Sequence, residues 1–178
     1  TNTEIVSNLE LEARFIEVTR IYVVTYMSGD EVHEIIDVPY NTIPIIPADP
    51  EKQGYRFTNW DKIVGKVTMD ITVHAVFVAS RYNIIFKNGY NEGDEVEVIG
   101  YMEVLPVNFE SKVTLPEIGF TRKGYDFMGW VIEGNVLPSY GNKDTLTYKK
   151  VGSLTLVPYW QPIQYGISYE LDGGLAFN

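Results

Sequence analysis

The side chains that could carry out acid–base or nucleophilic chemistry are few in this chain. It has two histidines, His33 and His74, and no cysteine, so a thiol nucleophile and a cysteine-bound metal are excluded. Imidazole is the usual general base near neutral pH, but neither histidine lies in a nucleophile, phosphate-loop or zinc motif. We predict that both are solvated surface residues.

Paired carboxylates could hydrolyse glycosides or bind calcium, and acidic pairs occur at residues 30–31 and 94–95. Adjacent residues on a strand point to opposite faces, so neither pair converges by itself. Each pair follows a glycine at a predicted hairpin turn, where acidic residues are common for local reasons. The calcium-loop spacing is absent, which leaves calcium as an alternative only. We predict no enzyme activity, no cofactor and no metal site.

The net charge of −10, from 24 acidic and 14 basic residues, restricts the partners. A protein that binds nucleic acid needs basic patches to displace the counterions of phosphate, and the basic residues here are scattered. No stretch is long and apolar enough for a transmembrane helix. We therefore predict no nucleic-acid partner and no membrane insertion by this chain.

One phrase occurs twice and indicates how the chain is organised. Residues 54–60 read Gly-Tyr-Arg-Phe-Thr-Asn-Trp, and residues 124–130 read Gly-Tyr-Asp-Phe-Met-Gly-Trp. Glycine gives the backbone freedom for a turn, and the aromatic residues then alternate with polar or small ones, as in a half-buried strand. Two copies of one strand predict two copies of one module.

Other landmarks surround both phrases in the same order: an aromatic-bounded strand, Gly-Asp-Glu-Val, an apolar pair closed by proline, a basic residue, and a final alternating strand. They lie at residues 22–26, 29–32, 45–47, 52 and 71–77 in the first copy, and at 82–86, 93–96, 114–116, 122 and 154–160 in the second. This shared order indicates duplication.

Both ends of the chain fit the same template. Residues 9–15 match the final strand of a copy, and residues 165–169 match the opening strand. We therefore predict four segments. They are the closing strand of a preceding repeat (1–20), a first module (21–80), a second module with insertions (81–162) and the opening strand of a following repeat (163–178).

The pattern predicts a mostly-β chain of small modules arranged end to end, because nearly every segment alternates with period two. At most one short helical turn is expected in each module. The first candidate is residues 49–53, where Asp49 could cap and Pro50 could occupy the first turn. Its counterpart, residues 117–123, contains Gly119.

Modules of about 60–80 residues have marginal cores, so the aromatic residues are the expected source of stability. The alternative is that the two tryptophans are exposed platforms on which a sugar stacks. The predicted structural core consists of Tyr55, Phe57, Trp60, Tyr125, Phe127 and Trp130.

The order Tyr-x-Val-x-Tyr, apolar-Pro, Lys/Arg-x-Gly-Tyr-x-Phe-x-x-Trp and a closing Ala-x-Phe strand resembles the Listeria–Bacteroides repeat, which includes the internalin-type B repeat. Residues 22–77 follow the pattern closely, and residues 82–160 follow it with insertions. The resemblance implies extracellular modules of bacterial surface proteins with a β-grasp-like fold. It brings no catalytic residues.

Two functions are consistent with these features. The first is a stalk or spacer, which predicts an elongated monomer. The second is an adhesin that binds a host protein or glycan, through an exposed edge strand or through the insertion at residues 133–150, with Tyr140 and Tyr148 as possible ligand contacts. An edge strand could also pair two copies of the chain as a dimer.

Overall fold

The computed structural model of the 178-residue chain describes residues 12–14, 19–89 and 94–168. Within these ranges it forms thirteen β-strands and no helix. The strands are β1 (Ile21–Ser28), β2 (Glu31–Pro39), β3 (Tyr55–Trp60), β4 (Ile71–Ala79), β5 (Arg81–Phe86), β6 (Val98–Gly100), β7 (Leu105–Asn108), β8 (Lys112–Thr114), β9 (Phe120–Arg122), β10 (Tyr125–Ile132), β11 (Pro138–Tyr140), β12 (Thr145–Thr147) and β13 (Leu154–Pro162). The prediction of a mostly-β chain is confirmed.

The chain divides into two compact units. The first unit consists of Thr1–Glu51 and Phe57–Phe77, and the second of Lys52–Arg56 and Val78–Asn178. A short segment of the first copy, Lys52–Arg56, thus belongs by its packing to the second unit. The predicted module boundaries at residues 21, 81 and 163 stay predictions.

The first sheet has four strands in the order β2-β1-β4-β3. β1 pairs antiparallel with β2 and parallel with β4, where Val24 lies opposite Ile71. Every second residue of β1 points inward, as its period-two pattern requires. Val24 and Tyr26 of β1 belong to a small core, whose other buried members are Val38, Val67 and Val73.

The second sheet has five strands in the order β11-β10-β13-β5-β7. β5 and β13 are parallel neighbours, with Ile84 opposite Leu154, while β7 and β10 pair antiparallel with β5 and β13. Two small two-stranded sheets, β12-β8 and β6-β9, accompany it. The larger core of this unit is built around Ile84, Trp130 and Leu156, all three fully buried.

The two larger sheets follow one plan. In each, the first and last long strands of a copy are parallel neighbours (β1 with β4, and β5 with β13). An antiparallel strand (β2 or β7) lies on the other side of the first of them. The strand that carries the duplicated phrase (β3 or β10) lies beside the last one. The duplication in the sequence is therefore a duplication of sheet topology. The β-grasp likeness stays a prediction.

Neither candidate helical turn forms, which agrees with the expectation of at most one in each module. Residues 49–52 form no regular element and lead into a turn at 53–54, closed by a hydrogen bond from Tyr55 N–H to the Lys52 carbonyl (2.9 Å). A segment this short, which is followed at once by Gly54, cannot offset the cost of starting a helix. Residues 117–123 contain β9 instead, because their backbone groups pair with β6.

The predicted strands at the two ends lie mostly outside the described residues. Of residues 9–15, only 12–14 are described, and they form no strand. Residues 165–168 likewise form no strand, and residue 169 onward is outside the described ranges.

Candidate functional site

The duplicated phrase of the second copy builds the centre of a core. Trp130 has no exposed surface, and its ring contacts Phe86 and Phe127 at 5.1 Å and Phe120 at 6.3 Å between centroids. Phe127 is half-buried and packs between Trp130 and Trp160. A ring enclosed in this way cannot act as a sugar-stacking platform.

The phrase of the first copy is packed less completely. Trp60 is half-buried. The centroid of its ring lies 4.8 Å from that of Tyr26, 5.3 Å from that of Phe57 and 5.8 Å from that of His33. Phe57 is also half-buried and meets Phe77 edge-on. The same seven-residue phrase therefore gives a fully enclosed indole in one copy and a partly exposed one in the other.

Tyr148 was predicted as a possible ligand contact, and this prediction is wrong because its side chain belongs to the core. Only 1% of Tyr148 is exposed, and its hydroxyl donates a hydrogen bond to the Gly152 carbonyl at 2.5 Å. Its ring lies 6.1 Å from that of Tyr82. Burial raises the pKa of the Tyr148 phenol, so the hydroxyl stays a donor at neutral pH.

Most of the insertion at residues 133–150 is part of the fold. β11 extends the second sheet, with Tyr140 opposite Trp130, and β12 pairs with β8. Tyr140 is half-buried and packs against the core. The exposed apolar part is the tip between β10 and β11, where Val136 is 82% and Leu137 is 70% exposed.

The residues that first suggested chemistry do not converge. His33 is exposed and its Nε2 lies 2.9 Å from the Ala48 carbonyl oxygen, while His74 is exposed on β4. The backbone N–H of His74 donates to the Asp61 carboxylate at 2.8 Å. Within residues 12–14, 19–89 and 94–168, no group of three histidine or acidic side chains could hold a metal ion.

The two copies do share a turn of unusual backbone conformation. Residues 39–42 and 108–111 each form a β-turn in which the fourth residue's N–H and hydroxyl donate to the first residue's carbonyl, at 3.1 and 2.7 Å in both turns. The third residues, Asn41 and Glu110, both have φ of 60°. Few residues other than glycine and asparagine adopt this left-handed region readily. The repetition thus extends to single hydrogen bonds.

Each of these turns is also anchored to the rest of its copy by the same two backbone bonds. Residues 41 and 42 bond to Val67 at 2.8 and 2.9 Å, and residues 110 and 111 bond to Tyr148 at 2.7 and 2.9 Å. Val67 and Tyr148, both buried, therefore occupy equivalent positions although their side chains differ greatly in size.

The Lys/Arg-x-Gly-Tyr motif of each copy forms a second repeated turn. The Lys52 ammonium lies 4.5 Å from the centre of the Tyr55 ring, and the Arg122 guanidinium lies 4.3 Å from that of Tyr125. A cation over the face of an aromatic ring is attracted by the ring quadrupole. The intervening glycines have φ of 79° and 77°, the left-handed conformation that brings the basic residue back over the ring.

In the second unit, the first of these motifs joins a cluster that we call the Tyr55 cluster: Lys52, Gly54, Tyr55, Phe109 and Glu110. The Tyr55 ring, half-buried, meets Phe109 edge-on at 5.5 Å, and its hydroxyl donates to the Glu110 carboxylate. This hydrogen bond is the main reason that the pKa of Tyr55 is raised. A Cβ on Gly54 would come within 2.5 Å of the Phe109 ring.

Sequence reasoning missed Phe109 and Glu110 altogether. The available signal was positional, since they occupy the places of Tyr40 and Asn41 in the first copy. The sequences Pro-Tyr-Asn-Thr and Asn-Phe-Glu-Ser share an aromatic residue, then a polar residue, then a residue with a hydroxyl group. Tyr125, the second copy's counterpart of Tyr55, is half-buried and has only Arg122 placed over its ring among the described residues.

None of the described residues forms a helix of the length and apolar character needed to cross a bilayer.

Comparison with known proteins identifies relatives that are much longer than this chain. A protein of Evansella cellulosilytica named "Putative membrane protein" is 26% identical over 167 residues, which is 86% of this chain and 23% of that protein. Another protein of the same organism, named "Putative Gly-rich membrane protein", is 27% identical over 168 residues, 86% of this chain and 18% of that protein. The chain thus spans about a fifth of the length of these relatives. No solved structure matches it.

The profile of the Listeria-Bacteroides repeat domain matches residues 22–72 and 82–157, which together make up most of the chain. The two matched segments correspond to the two copies, and each includes a complete Lys/Arg-x-Gly-Tyr turn and aromatic phrase. The chain belongs to the Listeria-Bacteroides repeat family.

Proposed function

We propose that this chain is a non-catalytic, extracellular repeat segment of a bacterial surface protein, and that it acts as a stalk or spacer. One observation carries the proposal: the features that the two copies share are turns and core packing. The repeated turns at 39–42 and 108–111, the cation over tyrosine and the aromatic packing of the duplicated phrase all stabilise the fold. A recurring ligand site would instead repeat exposed, converging polar groups.

The relatives support a place in the cell envelope, since both carry "membrane protein" in their names. Enzymatic activity would require groups that converge, and the described histidines and carboxylates do not. The charge of −10 disfavours nucleic acid and anionic surfaces as partners. We propose a monomer that needs no cofactor and does not insert into the membrane.

A spacer must keep its ends apart, which small-angle scattering measures directly. A compact globule of this length would have a radius of gyration of about 16 Å. We expect a clearly larger value and a distance distribution with a long tail, at several protein concentrations. A radius close to the compact value would contradict the spacer function. A mass of twice the chain's 20.3 kDa would contradict the monomer.

An adhesin that binds a host protein or glycan is the second candidate, and one observation favours it. The tip of the insertion carries two apolar residues, Val136 and Leu137, almost entirely in water. Loops on a rigid β scaffold are a common place for recognition. The edge strand β11, directly after this tip, could pair with an extended ligand strand.

The adhesin candidate is tested with a double substitution, because deletion of residues 133–150 would remove Tyr148 from the core. We expect Val136→Ser with Leu137→Ser to leave the fold intact and, if the tip is the binding surface, to abolish binding on arrays of glycans and extracellular-matrix proteins. The matched control, Ile45→Ser with Ile46→Ser, removes two equally exposed apolar side chains in the first unit. Equal binding by both variants and the unchanged chain would remove the tip from consideration.

A further inference from the structure

The Tyr55 cluster is completed by Ser80, which lies just before β5. In the second unit the Ser80 N–H donates to the Gly54 carbonyl at 2.9 Å, and the Ser80 carbonyl accepts from the Phe109 N–H at 2.9 Å. The turn at 108–111 is thereby held against the Lys-x-Gly-Tyr turn through both backbone groups of one residue. Phe109 covers the face of Gly54 where a side chain would be.

Half of this arrangement recurs after the second copy. The Ile163 N–H donates to the Gly124 carbonyl at 2.8 Å. Ile163 precedes Tyr165 by the same spacing with which Ser80 precedes Tyr82, so the two residues are equivalent in the repeat. Arg122 lies over Tyr125 as Lys52 lies over Tyr55. The glycine, the tyrosine, the cation and the first backbone bond are therefore all in place.

The other half, an aromatic residue over the glycine, is not supplied by any described residue. A Cβ on Gly124 would meet nothing within 4 Å, whereas one on Gly54 would meet three carbon atoms of the Phe109 ring. Two glycines with nearly the same φ thus differ in what covers them.

We propose that the turn formed by Arg122, Gly124 and Tyr125, together with Ile163, is a docking surface for a following copy of the same repeat. The docking element is the turn equivalent to residues 108–111. Its aromatic residue covers Gly124 and meets the Tyr125 ring edge-on, its N–H donates to the Ile163 carbonyl, and a carboxylate at its third position accepts from the Tyr125 hydroxyl.

The first copy presents the aromatic part of this docking element, with Asn41 in place of the carboxylate. Its turn at 39–42 carries Tyr40 at the position of Phe109, and the Tyr40 N–H donates to the Arg20 carbonyl at 2.7 Å as Phe109 does to Ser80. Tyr40 is 55% exposed. No Lys/Arg-x-Gly-Tyr turn of the described residues packs against the turn at 39–42. The Tyr40 ring is therefore exposed where the equivalent Phe109 ring is packed against Gly54.

The proposal is tested by giving the chain a following copy. In an extended protein, residues 1–163 are followed directly by a second copy of residues 81–168, so that Arg81 follows Ile163 as it follows Ser80. The Gly124→Ala substitution is then compared in the original chain and in the extended protein, with Gly54→Ala as the internal reference in both. Unfolding in urea is monitored by hydrogen exchange, which reports on each copy separately.

We expect Gly124→Ala to lower the unfolding midpoint modestly in the original chain and by as much as Gly54→Ala in the extended protein. An equal shift of the midpoint by Gly124→Ala in the two proteins would overturn the proposal. If Gly124→Ala prevents folding, a double-mutant cycle with smaller substitutions tests the proposal instead. Tyr125→Phe is combined with Glu110→Gln in the added copy, and the pair should be coupled as Tyr55→Phe and Glu110→Gln are coupled in the original chain.

The docking proposal would also be overturned if Tyr125→Phe and Glu110→Gln of the added copy had additive effects on stability while Tyr55→Phe and Glu110→Gln of the original chain were coupled. This inference concerns how repeats join and does not depend on the spacer function. A compact scattering profile would remove the spacer and leave the docking test unchanged, and additive substitutions would remove the docking surface and leave the scattering result unchanged.

Discussion

Replacing Trp130 with alanine is expected to destabilise the second unit by about 3–5 kcal/mol, the range for removing a fully buried large aromatic side chain. The indole is completely enclosed and touches three phenylalanine rings. Its removal leaves a cavity that the paired strands β10 and β13 cannot collapse to fill. Hydrogen exchange should report lost protection in β5, β10 and β13.

Two matched variants make this expectation specific. Trp60→Ala removes the same side chain from the same phrase, but the Trp60 ring is partly exposed, so we expect a smaller loss, confined to the first unit. Trp130→Phe keeps most of the ring volume, and it removes an indole N–H that is buried with no hydrogen-bond partner among the described residues. It should therefore cost much less than Trp130→Ala. Equal losses for Trp60→Ala and Trp130→Ala would contradict the assignment of Trp130 as the more enclosed anchor.

Replacing Gly54 with alanine is expected to have the second-largest effect. The backbone there has φ of 79°, where a residue with a Cβ costs about 1–2 kcal/mol. The new Cβ would also overlap the Phe109 ring at 2.5 Å, and forcing a ring out of a packed position costs about 1–3 kcal/mol more. The same Cβ causes both costs, so Gly54→Ala should destabilise the chain by more than the backbone cost alone.

Gly124→Ala is the control that separates these two costs. Gly124 has φ of 77°, but a Cβ there meets nothing within 4 Å. Only the backbone cost applies, so Gly124→Ala should destabilise the chain by less than Gly54→Ala. Chemical denaturation of the two variants, with exchange protection measured around Phe109, provides the comparison. Equal destabilisation would show that the contact between Gly54 and Phe109 contributes nothing.

The sequence predicted those parts of the fold that depend on local pattern. Period-two alternation located the long strands, and the duplicated phrase located Trp130, because an aromatic residue at fixed spacing from a glycine turn can be read without knowledge of the fold. The two candidate helical turns did not form, because helix propensity over so few residues is weak. At residues 120–122, pairing with β6 determined the structure instead.

The contacts that depend on distant segments could not be predicted. Tyr148 was predicted as a possible ligand contact in the insertion, yet it packs beside Tyr82 in the core because β12 pairs with β8 and turns the following residue inward. Phe109 and Glu110 carry no local motif. Their role arises only when the turn at 108–111 meets the segment Lys52–Arg56, and no spacing in the sequence encodes that meeting.

The parallel pairing at the centre of each sheet has a consequence for how the protein folds. β5 pairs with β13, and β1 with β4, so the middle of each sheet joins the opening and final strands of a copy. Such pairings between distant parts of the chain form slowly, because the entropy cost of closing a long loop comes before the stabilising contacts form. A nascent copy therefore cannot complete its sheet before its last strand has been synthesised, although a local hairpin such as β1–β2 needs no later strand.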